Sequence, residues 1–377
     1  MRKGMGIVPW VCGAGAIVLG AFGLFTVLDG QGNNAGKIDL AIGTYGENIY
    51  EYSFDTESLE FTHKTTFKAD NGSYCLGFAS PDGLNVYSVS ETGDGSGVYS
   101  FNTKVTAEKR QTGANPCFVL MHDGYMMTAD YSGGSISVFP VLADGSVGDI
   151  SQQLTFNGSG PNKARQESSH IHQLRLIPNA EDKWILASDL GADKIWIISA
   201  KNSKENMPLA PVGSIDCPAG SGPRHMEFNA AGDKLYCIAE LSGNVLVYDI
   251  DKSGKTPVFT LIQEIQADEV NAGGSADIHM HPNGKYLYTS HRLENDGIAI
   301  FNINPDGKLT KTGYANTDKH PRNFMITPDG NLLLVACRDD QSIQVFRIEK
   351  DGGLTKTPSV LKFQTDRPSS VTAVSKN

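Results

Sequence analysis

Short runs of strand-forming residues, each introduced by a turn, recur along the chain after residue 36. Five segments share a Pro, Asn, Asp or Gly turn followed by alternating or continuous apolar residues, namely SPDGLNVYSVSE (80–91), IPNAEDKWILASD (177–189), NAAGDKLYCIAE (229–240), HPNGKYLYTSH (281–291) and TPDGNLLLVAC (327–337). A turn followed by such a run predicts a β-strand. A second strand-like run follows each segment, and helical periodicity does not persist beyond the N-terminal segment.

The repeat length predicts the fold. Anchored on the strand before each turn, successive repeats are about 42 to 55 residues apart, which is the length of a four-stranded antiparallel blade. The anchoring positions are Tyr74, Pro116, Ile171, Pro223, Ser275, Pro321 and Pro368. The predicted fold class is therefore all-β, with residues 37–377 forming one seven-bladed β-propeller.

The two ends of this domain predict how the ring of blades closes. The first repeat begins directly at DLAIGTY (39–45) without an opening strand, whereas DRPSSVTAV (366–374) is an opening strand with nothing after it. Pairing these two segments leaves no open sheet edge. We therefore expect the C-terminal strand to complete the N-terminal blade.

The first 36 residues differ from the repeats. Arg2 and Lys3 precede an uncharged run over residues 6–28, which is long enough to cross a bilayer as a hydrophobic helix. Residues 1–36 are predicted to be a signal peptide or a membrane anchor plus a linker, and the positive flank favours export to the periplasm or cell envelope. The alternative is a cytoplasmic protein with a misassigned start codon.

The charge balance and the cysteine pattern limit the kinds of ligand and binding partner that this chain is expected to have. The chain has 42 acidic and 32 basic residues, a formal charge of -10 and no Lys/Arg-rich run, which argues against nucleic-acid binding. The six cysteines include no CxxC pair, so buried free thiols are favoured over a zinc site or a disulfide framework. We expect a monomer that acts on a small molecule.

Two rings of residues are predicted to crowd around the central channel. The first should hold Cys75, Cys117, His172, Arg224, Ala276, Arg322 and Ser369, and the second Thr44, Glu91, Asp130, Asp189, Glu240, His291 and Cys337, with Arg292 and Arg338 directly after the last two. Charges at a crowded axis lose hydration, and this loss is unfavourable unless each charge is paired. The cations of blades four to seven, with Glu240 among them, therefore indicate either polar ladders between blades or an anion-binding pocket with an acid/base pair.

The motifs that carry these residues resemble one enzyme family. They are SHIHQ (169–173), GPRHMEF (222–228), IAELSGNV (238–245), SHRLEND (290–296) and HPRNFMITPDG (320–330). They are similar to the seven-bladed lactonases, which include propeller-type 6-phosphogluconolactonases and carboxy-cis,cis-muconate cyclases. The resemblance covers nearly all of residues 37–374, and it implies an enzyme without a metal or cofactor whose catalytic residues are His172, Arg224, Glu240 and Arg292.

Opening a lactone requires an activated water, a stabilised oxyanion and a proton for the departing alkoxide. We expect Glu240 or His172 to remove the proton from water, the other serving later as an acid. Arg224 and Arg292 would hold the carbonyl oxygen as it becomes negative. The sequence leaves open whether Glu240 or His172 is the base.

Four further residues are candidates for substrate binding. Arg322 and His225 are expected to bind a distal anionic group of the substrate, either a phosphate or a carboxylate. Asn323 is a candidate for binding a hydroxyl, with a turn cap as the alternative. His170 is a candidate for the rim of the pocket, with an ordinary surface-loop histidine as the alternative.

The resemblance implies hydrolysis of a sugar-derived δ-lactone, 6-phosphogluconolactone, to 6-phosphogluconate. The N-terminal segment departs from the familiar cytosolic members, so the phosphate on the substrate stays open. A muconate-type lactonizing cyclase would use the same pocket. A non-catalytic propeller that acts as a binding module at the cell envelope is the alternative from a different class.

Overall fold

The computed structural model describes residues 36–80, 83–102, 108–180, 183–200 and 209–376. The predicted N-terminal hydrophobic helix, with its proposed membrane attachment, lies outside these ranges. Within them, no helix is both long and apolar enough to cross a membrane. The helix that they contain is the short 3₁₀ turn Gly93–Gly95.

Seven antiparallel sheets contain the described strands, and we number them as blades in chain order. Named from the first strand to the fourth, blade 1 consists of Arg367–Ala373, Lys37–Tyr45, Asn48–Asp55 and Phe61–Lys68; blade 2 of Cys75–Ser80, Gly83–Ser90, Gly97–Phe101 and Glu108–Gln111; blade 3 of Pro116–His122, Tyr125–Asp130, Ser135–Pro140 and Gln152–Thr155; blade 4 of Ile171–Leu176, Trp184–Asp189, Lys194–Ala200 and Leu209–Asp216; blade 5 of Pro223–Phe228, Lys234–Ala239, Asn244–Asp251 and Val258–Gln266; blade 6 of Ser275–Met280, Tyr286–His291, Gly297–Ile303 and Leu309–Asn316; blade 7 of Pro321–Ile326, Leu332–Cys337, Ser342–Ile348 and Leu354–Lys362. The short strand Ser375–Lys376 pairs in parallel with the first strand of blade 2.

The first strands of the seven blades form a closed ring at the centre of the molecule. Each contacts the first strands of both neighbouring blades, from blade 1 through blade 7 and back to blade 1. In blade 1 the C-terminal strand pairs antiparallel with the N-terminal strand, with Leu40 opposite Ala373. The predicted seven-bladed propeller, closed by the C-terminal strand, is therefore confirmed.

Apolar side chains between neighbouring blades form the core. Between blades 5 and 6, Tyr236 and Val247 from one sheet pack with Leu287 and Phe301 from the other, and all four are fully buried. Similar clusters join blades 4 and 5, 6 and 7, and 7 and 1. Because both faces of a sheet are covered, strands such as Leu332–Cys337 are continuously apolar instead of alternating.

A repeated hydrogen bond ties each of several blades to the next. The Tyr236 hydroxyl donates to the Gly307 carbonyl at 2.9 Å, and the Tyr288 hydroxyl donates to the Gly352 carbonyl at the same distance. Both glycines follow an aspartate in the turn before the fourth strand of a blade, and both have a φ of 84°, which favours glycine. A Cβ at Gly307 would lie 2.4 Å from Lys234 Cε. These turns therefore fix the spacing of the blades and, with it, the geometry of the hub.

Candidate active site

In five of the blades, one residue of the first strand has no partner opposite it in the second strand. These residues each follow an anchoring position of the repeat, and they are Cys117, His172, Arg224, Arg322 and Ser369. A β-bulge leaves its extra residue unpaired and redirects the side chain. All five side chains line the same cavity, so the bulges are the local feature that builds the site.

The cavity is lined mainly by polar residues. Its other lining residues are Ser73, Tyr74, Glu91, His225 and Asn323. The space inside it is about 270 Å³, a figure that includes open solvent at its mouth. The cavity is therefore a polar site that opens to solvent.

Glu240 lies at the centre of a group of arginines beside this cavity. Its carboxylate accepts hydrogen bonds from Arg224 Nε at 2.8 Å and Arg165 Nη2 at 2.7 Å, and Arg292 Nη2 lies 3.4 Å away. The residues Arg224, Glu240 and Arg292 are each at most 6% exposed. The structure thus brings the predicted arginines and carboxylate together, with Arg224 in the cavity lining and Glu240 and Arg292 beside it but outside that lining. The Glu240 carboxylate therefore holds the guanidinium groups of Arg224 and Arg165 in place.

The charges in this cluster strongly influence one another. Burial acts to raise the pKa of Glu240, but Arg292, Arg224 and Arg165 outweigh burial and lower the pKa to about 2. Burial lowers the pKa of Arg292 to about 9, although Glu240 opposes this shift. At neutral pH the cluster therefore contains one carboxylate and three guanidinium cations, an excess of positive charge that favours an anionic ligand or intermediate.

Arg322 is held on the other side of the cavity by an aromatic and acidic pair. Its Nη2 donates to the Tyr45 hydroxyl at 2.6 Å, and its guanidinium carbon lies 5.1 Å from the centre of the Tyr45 ring. The Tyr45 hydroxyl in turn donates to Glu91 at 2.7 Å. Burial acts to lower the pKa of Arg322, but Tyr45 and Glu91 outweigh it and raise the pKa. Arg322 is therefore a fixed cation at the cavity wall.

His172 reaches the cavity as a neutral ring. Burial, together with Arg224 and His225, holds the pKa of His172 well below its usual range. The ring makes an edge contact with His225, with 5.2 Å between the ring centres, and Cys117 Sγ lies 3.8 Å from its Nδ1. A neutral imidazole can accept a proton, whereas the oxygens of Glu240 are occupied by arginines.

Comparison with known proteins places these observations in a family. The sequence model of the family described as "Lactonase, 7-bladed beta-propeller" matches residues 39–373. The chain belongs to this lactonase family. Lactonases are carboxylic-ester hydrolases that open cyclic esters.

Relatives and solved structures are similar over most of the chain. A 6-phosphogluconolactonase of Bacillus subtilis is 28% identical over 69% of this chain and 76% of its own length, and one of Formosa agariphila is 32% identical over 68% and 75%. A structure described as a "putative 6-phosphogluconolactonase" of Bacteroides fragilis is 38% identical, with a TM-score of 0.83, and covers 92% of this chain and 100% of its own. The periplasmic gluconolactonase of Pseudomonas aeruginosa is 27% identical, with a TM-score of 0.79, over 90% and 99%.

The candidate site also contains residues that the repeat pattern did not reveal. Arg165 lies on the long connection between the last strand of blade 3 and the first strand of blade 4, outside any repeat. The length of that connection is the available signal, because long loops in compact domains often carry function. Tyr45 ends a strand of blade 1, and Ser73 precedes the first strand of blade 2. Both contact Glu91, Tyr45 also contacts Arg322, and Ser73 lines the cavity.

Two of the predicted substrate-binding residues are engaged mainly with other groups of the protein. His170 is absent from the cavity lining. Its ring stacks on Tyr131 with 4.4 Å between ring centres, and its Nε2 lies 3.2 Å from Glu167. Asn323 does line the cavity, but its Nδ2 donates to Asp277 at 2.5 Å and its Oδ1 accepts from the Val371 amide. Its amide is therefore mainly occupied by protein partners.

The predicted second ring is wrong by one residue in several blades. Asp130, Asp189 and His291 end their strands and hydrogen-bond within their own blades. Glu240 and Arg292 follow the last residue of a strand and reach the hub instead. Successive side chains of a strand point to opposite faces, so a shift of one position changes which side chain reaches the centre. In the first ring the lining residue of blade 2 is likewise Tyr74, and its neighbour Cys75 is fully buried.

Across the described ranges, no group of three or more His, Cys, Asp or Glu side chains is arranged to hold a metal ion. The described cysteines, at positions 75, 117, 217, 237 and 337, are free thiols.

Proposed function

We propose that this lactonase hydrolyses a sugar-derived δ-lactone, with 6-phosphogluconolactone as substrate, in the cavity at the hub and without a metal ion. The observation that carries the proposal is the group of arginines around Glu240, of which Arg224 and Arg292 are buried. Hydrolysis converts a neutral ester into a carboxylate through an oxyanion, and fixed cations stabilise both. The names of the relatives in Bacillus subtilis and Formosa agariphila support this class of substrate.

The arginines are suited to hold the oxyanion. Water attacks the carbonyl carbon, the C=O pair moves onto the oxygen, and collapse of this intermediate breaks the bond to the ring oxygen. Arg224 and Arg292 are anchored by Glu240 and by the backbone, since Arg224 Nη1 donates to the Ala276 carbonyl and Arg292 Nε donates to the Gly274 carbonyl. Donors that are already in place need no reorganisation when the charge develops.

The proton of the attacking water moves to an imidazole in this proposal and then to the departing ring oxygen. Of the two predicted bases, Glu240 is the weaker candidate. Its pKa of about 2 makes it a poor proton acceptor, and three arginines face its oxygens. His172 lines the cavity as a neutral ring. Glu240 then acts by positioning the arginines.

Arg322 is the proposed partner of the phosphate group. It lines the same cavity and is fixed by Tyr45, and a guanidinium can donate two parallel hydrogen bonds to a phosphate. An unphosphorylated gluconolactone is the second candidate, favoured by the likeness to the periplasmic gluconolactonase and by the predicted export through residues 1–36. In that case Arg322 would contact a sugar hydroxyl.

The test is a continuous assay of purified protein against 6-phosphogluconolactone and glucono-δ-lactone, with and without a chelator. We expect hydrolysis above the spontaneous rate, unchanged by chelation. Arg322→Ala should raise KM for the phosphorylated lactone by about tenfold or more and leave KM for the unphosphorylated one nearly unchanged. Arg338→Ala is the matched control, because Arg338 pairs with Asp339 away from the cavity lining.

Product analysis distinguishes hydrolysis from the alternatives. A muconate-type cyclase would form a lactone from an unsaturated acid and would not open the sugar lactones. Absence of turnover on every lactone would favour the binding-module alternative. Loss of activity with chelator would contradict the metal-free mechanism.

A further inference from the structure

A buried chain of charged and polar groups extends from the cavity into blades 5 and 6. His225 lines the cavity, and its Nδ1 lies 2.7 Å from Asp277 Oδ1. Asp277 Oδ2 lies 3.0 Å from His279 Nε2, and His279 Nδ1 lies 3.6 Å from Glu227. Glu227 is paired with Arg175. The chain gives His225 a carboxylate partner.

We propose that His225, oriented by Asp277, is the imidazole that accepts the proton of the attacking water, and that His172 lies beside it as a neutral substrate-contacting ring. This inference rests on the proposed lactone hydrolysis. The proton goes from water to His225 Nε2 as the new C–O bond forms, and from there to the ring oxygen as the old C–O bond breaks.

The hydrogen bond to Asp277 determines the tautomer of His225. Burial acts to raise the pKa of Asp277, but His279 and His225 outweigh it and hold the pKa well below the usual range. An ionised carboxylate only accepts hydrogen bonds, so the proton of neutral His225 is on Nδ1. Nε2 of this cavity-lining ring is then the nitrogen with a free lone pair, the arrangement that general base catalysis requires.

The surroundings of His225 and His172 differ in how strongly they stabilise a positive charge on the ring. Asp277 lies against His225 and stabilises its imidazolium form. Arg224 and Arg322 act on His172 without any carboxylate among its main influences. A protonated ring is therefore less unfavourable at His225, although burial and Arg224 still lower its pKa to about 4.

Asp277 is built into this position by neighbours from two blades. It accepts hydrogen bonds from the Ile278 amide at 3.0 Å, from Asn323 Nδ2 at 2.5 Å and from the Phe324 amide at 3.2 Å. Its location at the irregular pairing between Ser275 and Ile278 directs it toward the hub. Asp277 is thus a positioning residue, and the Asn323 amide supports it.

The first test compares His225→Gln with His281→Gln in the full chain. We expect His225→Gln to lower kcat at least about 100-fold with KM changed by less than about threefold. His281 is the control, because its ring contacts the Gly330 carbonyl outside the cavity lining. Added imidazole should partly restore kcat to His225→Ala. A kcat within twofold of wild type in His225→Gln would overturn the inference.

The second test uses the pH dependence of kcat/KM on glucono-δ-lactone. Activity of the wild type should fall as the pH drops through about 4, because the base must be unprotonated. The groups that act on His225 are Arg224, Asp277 and His279, with neutral His172 against its ring. His279→Gln removes a positive charge and should move this fall to higher pH, whereas Asp277→Asn should move it to lower pH and reduce kcat.

The pH profile separates a positioning role from a structural one. If His279→Gln and Asp277→Asn change only the melting temperature and leave the pH profile in place, the inference is wrong. If His225→Gln folds poorly, the shift in the pH profile of His279→Gln tests the inference instead. A wild type that opens no lactone would refute the proposed function itself, whereas an active wild type with a normal His225→Gln variant would refute this inference alone.

Discussion

Blades 3 and 5 each place a carboxylate at the end of the second strand, and the two carboxylates have different environments. Asp130 is the last residue of its strand and accepts hydrogen bonds from Thr128, Ser135 and Ser137 in its own blade. Glu240 comes one residue after the end of its strand and contacts arginines from outside its blade as well as Arg224. One carboxylate stabilises a blade, and the other organises the hub.

The protonation of the two acids follows from these partners. Burial raises the pKa of Asp130 to about 6, although three hydroxyl groups oppose the shift. Glu240 is equally buried, yet its pKa falls to about 2 because of Arg292, Arg224 and Arg165. Hydroxyl donors satisfy a buried carboxylate without neutralising it, whereas cations favour its charged form. The kind of donor, more than burial, distinguishes a structural acid from one in a charged site.

Removal of an arginine beside Glu240 should give the largest effect. We expect Arg224→Ala to lower kcat by about 100- to 1,000-fold, as loss of one oxyanion donor does in other hydrolases. Arg338→Ala removes an arginine whose Nε donates to Asp339 instead of the hub, so its kcat should stay within about twofold. Steady-state kinetics on a lactone measure both. Equal losses in the two variants would contradict the special role of the hub.

Unfolding measured against pH should separate the two acids. Glu240 has a folded pKa of about 2 against an ordinary 4.5, so its stabilisation is present above pH 4.5 and lost as the pH falls toward 2. Asp130 has a folded pKa of about 6 against 3.8, so its stabilisation is present below pH 3.8 and lost as the pH rises toward 6. Each contribution is on the order of 3 kcal/mol.

Denaturant titrations of Glu240→Gln and Asp130→Asn from pH 3 to 7 test this difference. The deficit of Glu240→Gln relative to wild type should shrink as the pH falls. The deficit of Asp130→Asn should shrink as the pH rises, and its activity per folded molecule should stay near that of wild type. Deficits that change in the same direction for both variants would show that the two environments are not opposite in effect.

The smallest effect is expected at Cys117, another bulge residue of the cavity. Burial raises the pKa of its thiol, so the group is uncharged at neutral pH and a poor nucleophile. Cys117→Ser should keep kcat within about twofold, and the wild type should react slowly with iodoacetamide. Loss of most activity in Cys117→Ser would show that this bulge position contributes to the chemistry, as is proposed for Arg224.

The sequence predicts the repeats well because each blade is a local unit. A turn followed by strand formers recurs in TPDGNLLLVAC (327–337) and its equivalents, and each of these segments contains the second strand of a blade. The motifs around His172, Arg224, Glu240 and Arg292 resemble known lactonases and therefore point to the hub. The role of each of these residues in catalysis stays a prediction.

The position of Arg165 beside Glu240 could not be predicted from repeats or motifs. The same holds for the series of contacts that joins His225, Asp277, His279 and Glu227. Arg165 is 75 positions from Glu240 in the sequence, and no repeat relates them. Asp277 looks like a turn residue until blade 6 is placed beside blade 5. Such contacts join side chains from different blades, and their distances depend on how the blades pack.

The amino-acid sequence by itself determined the number of blades, the way the ring closes and the family, because strand periodicity, turn chemistry and short motifs are local properties of the chain. Only the tertiary structure decided which side chains meet at the hub. A bulge in the first strand and a shift of one residue at the end of the second strand choose between the channel and the interior of a blade. Those choices are made where neighbouring sheets pack, and they determine which buried charges are paired.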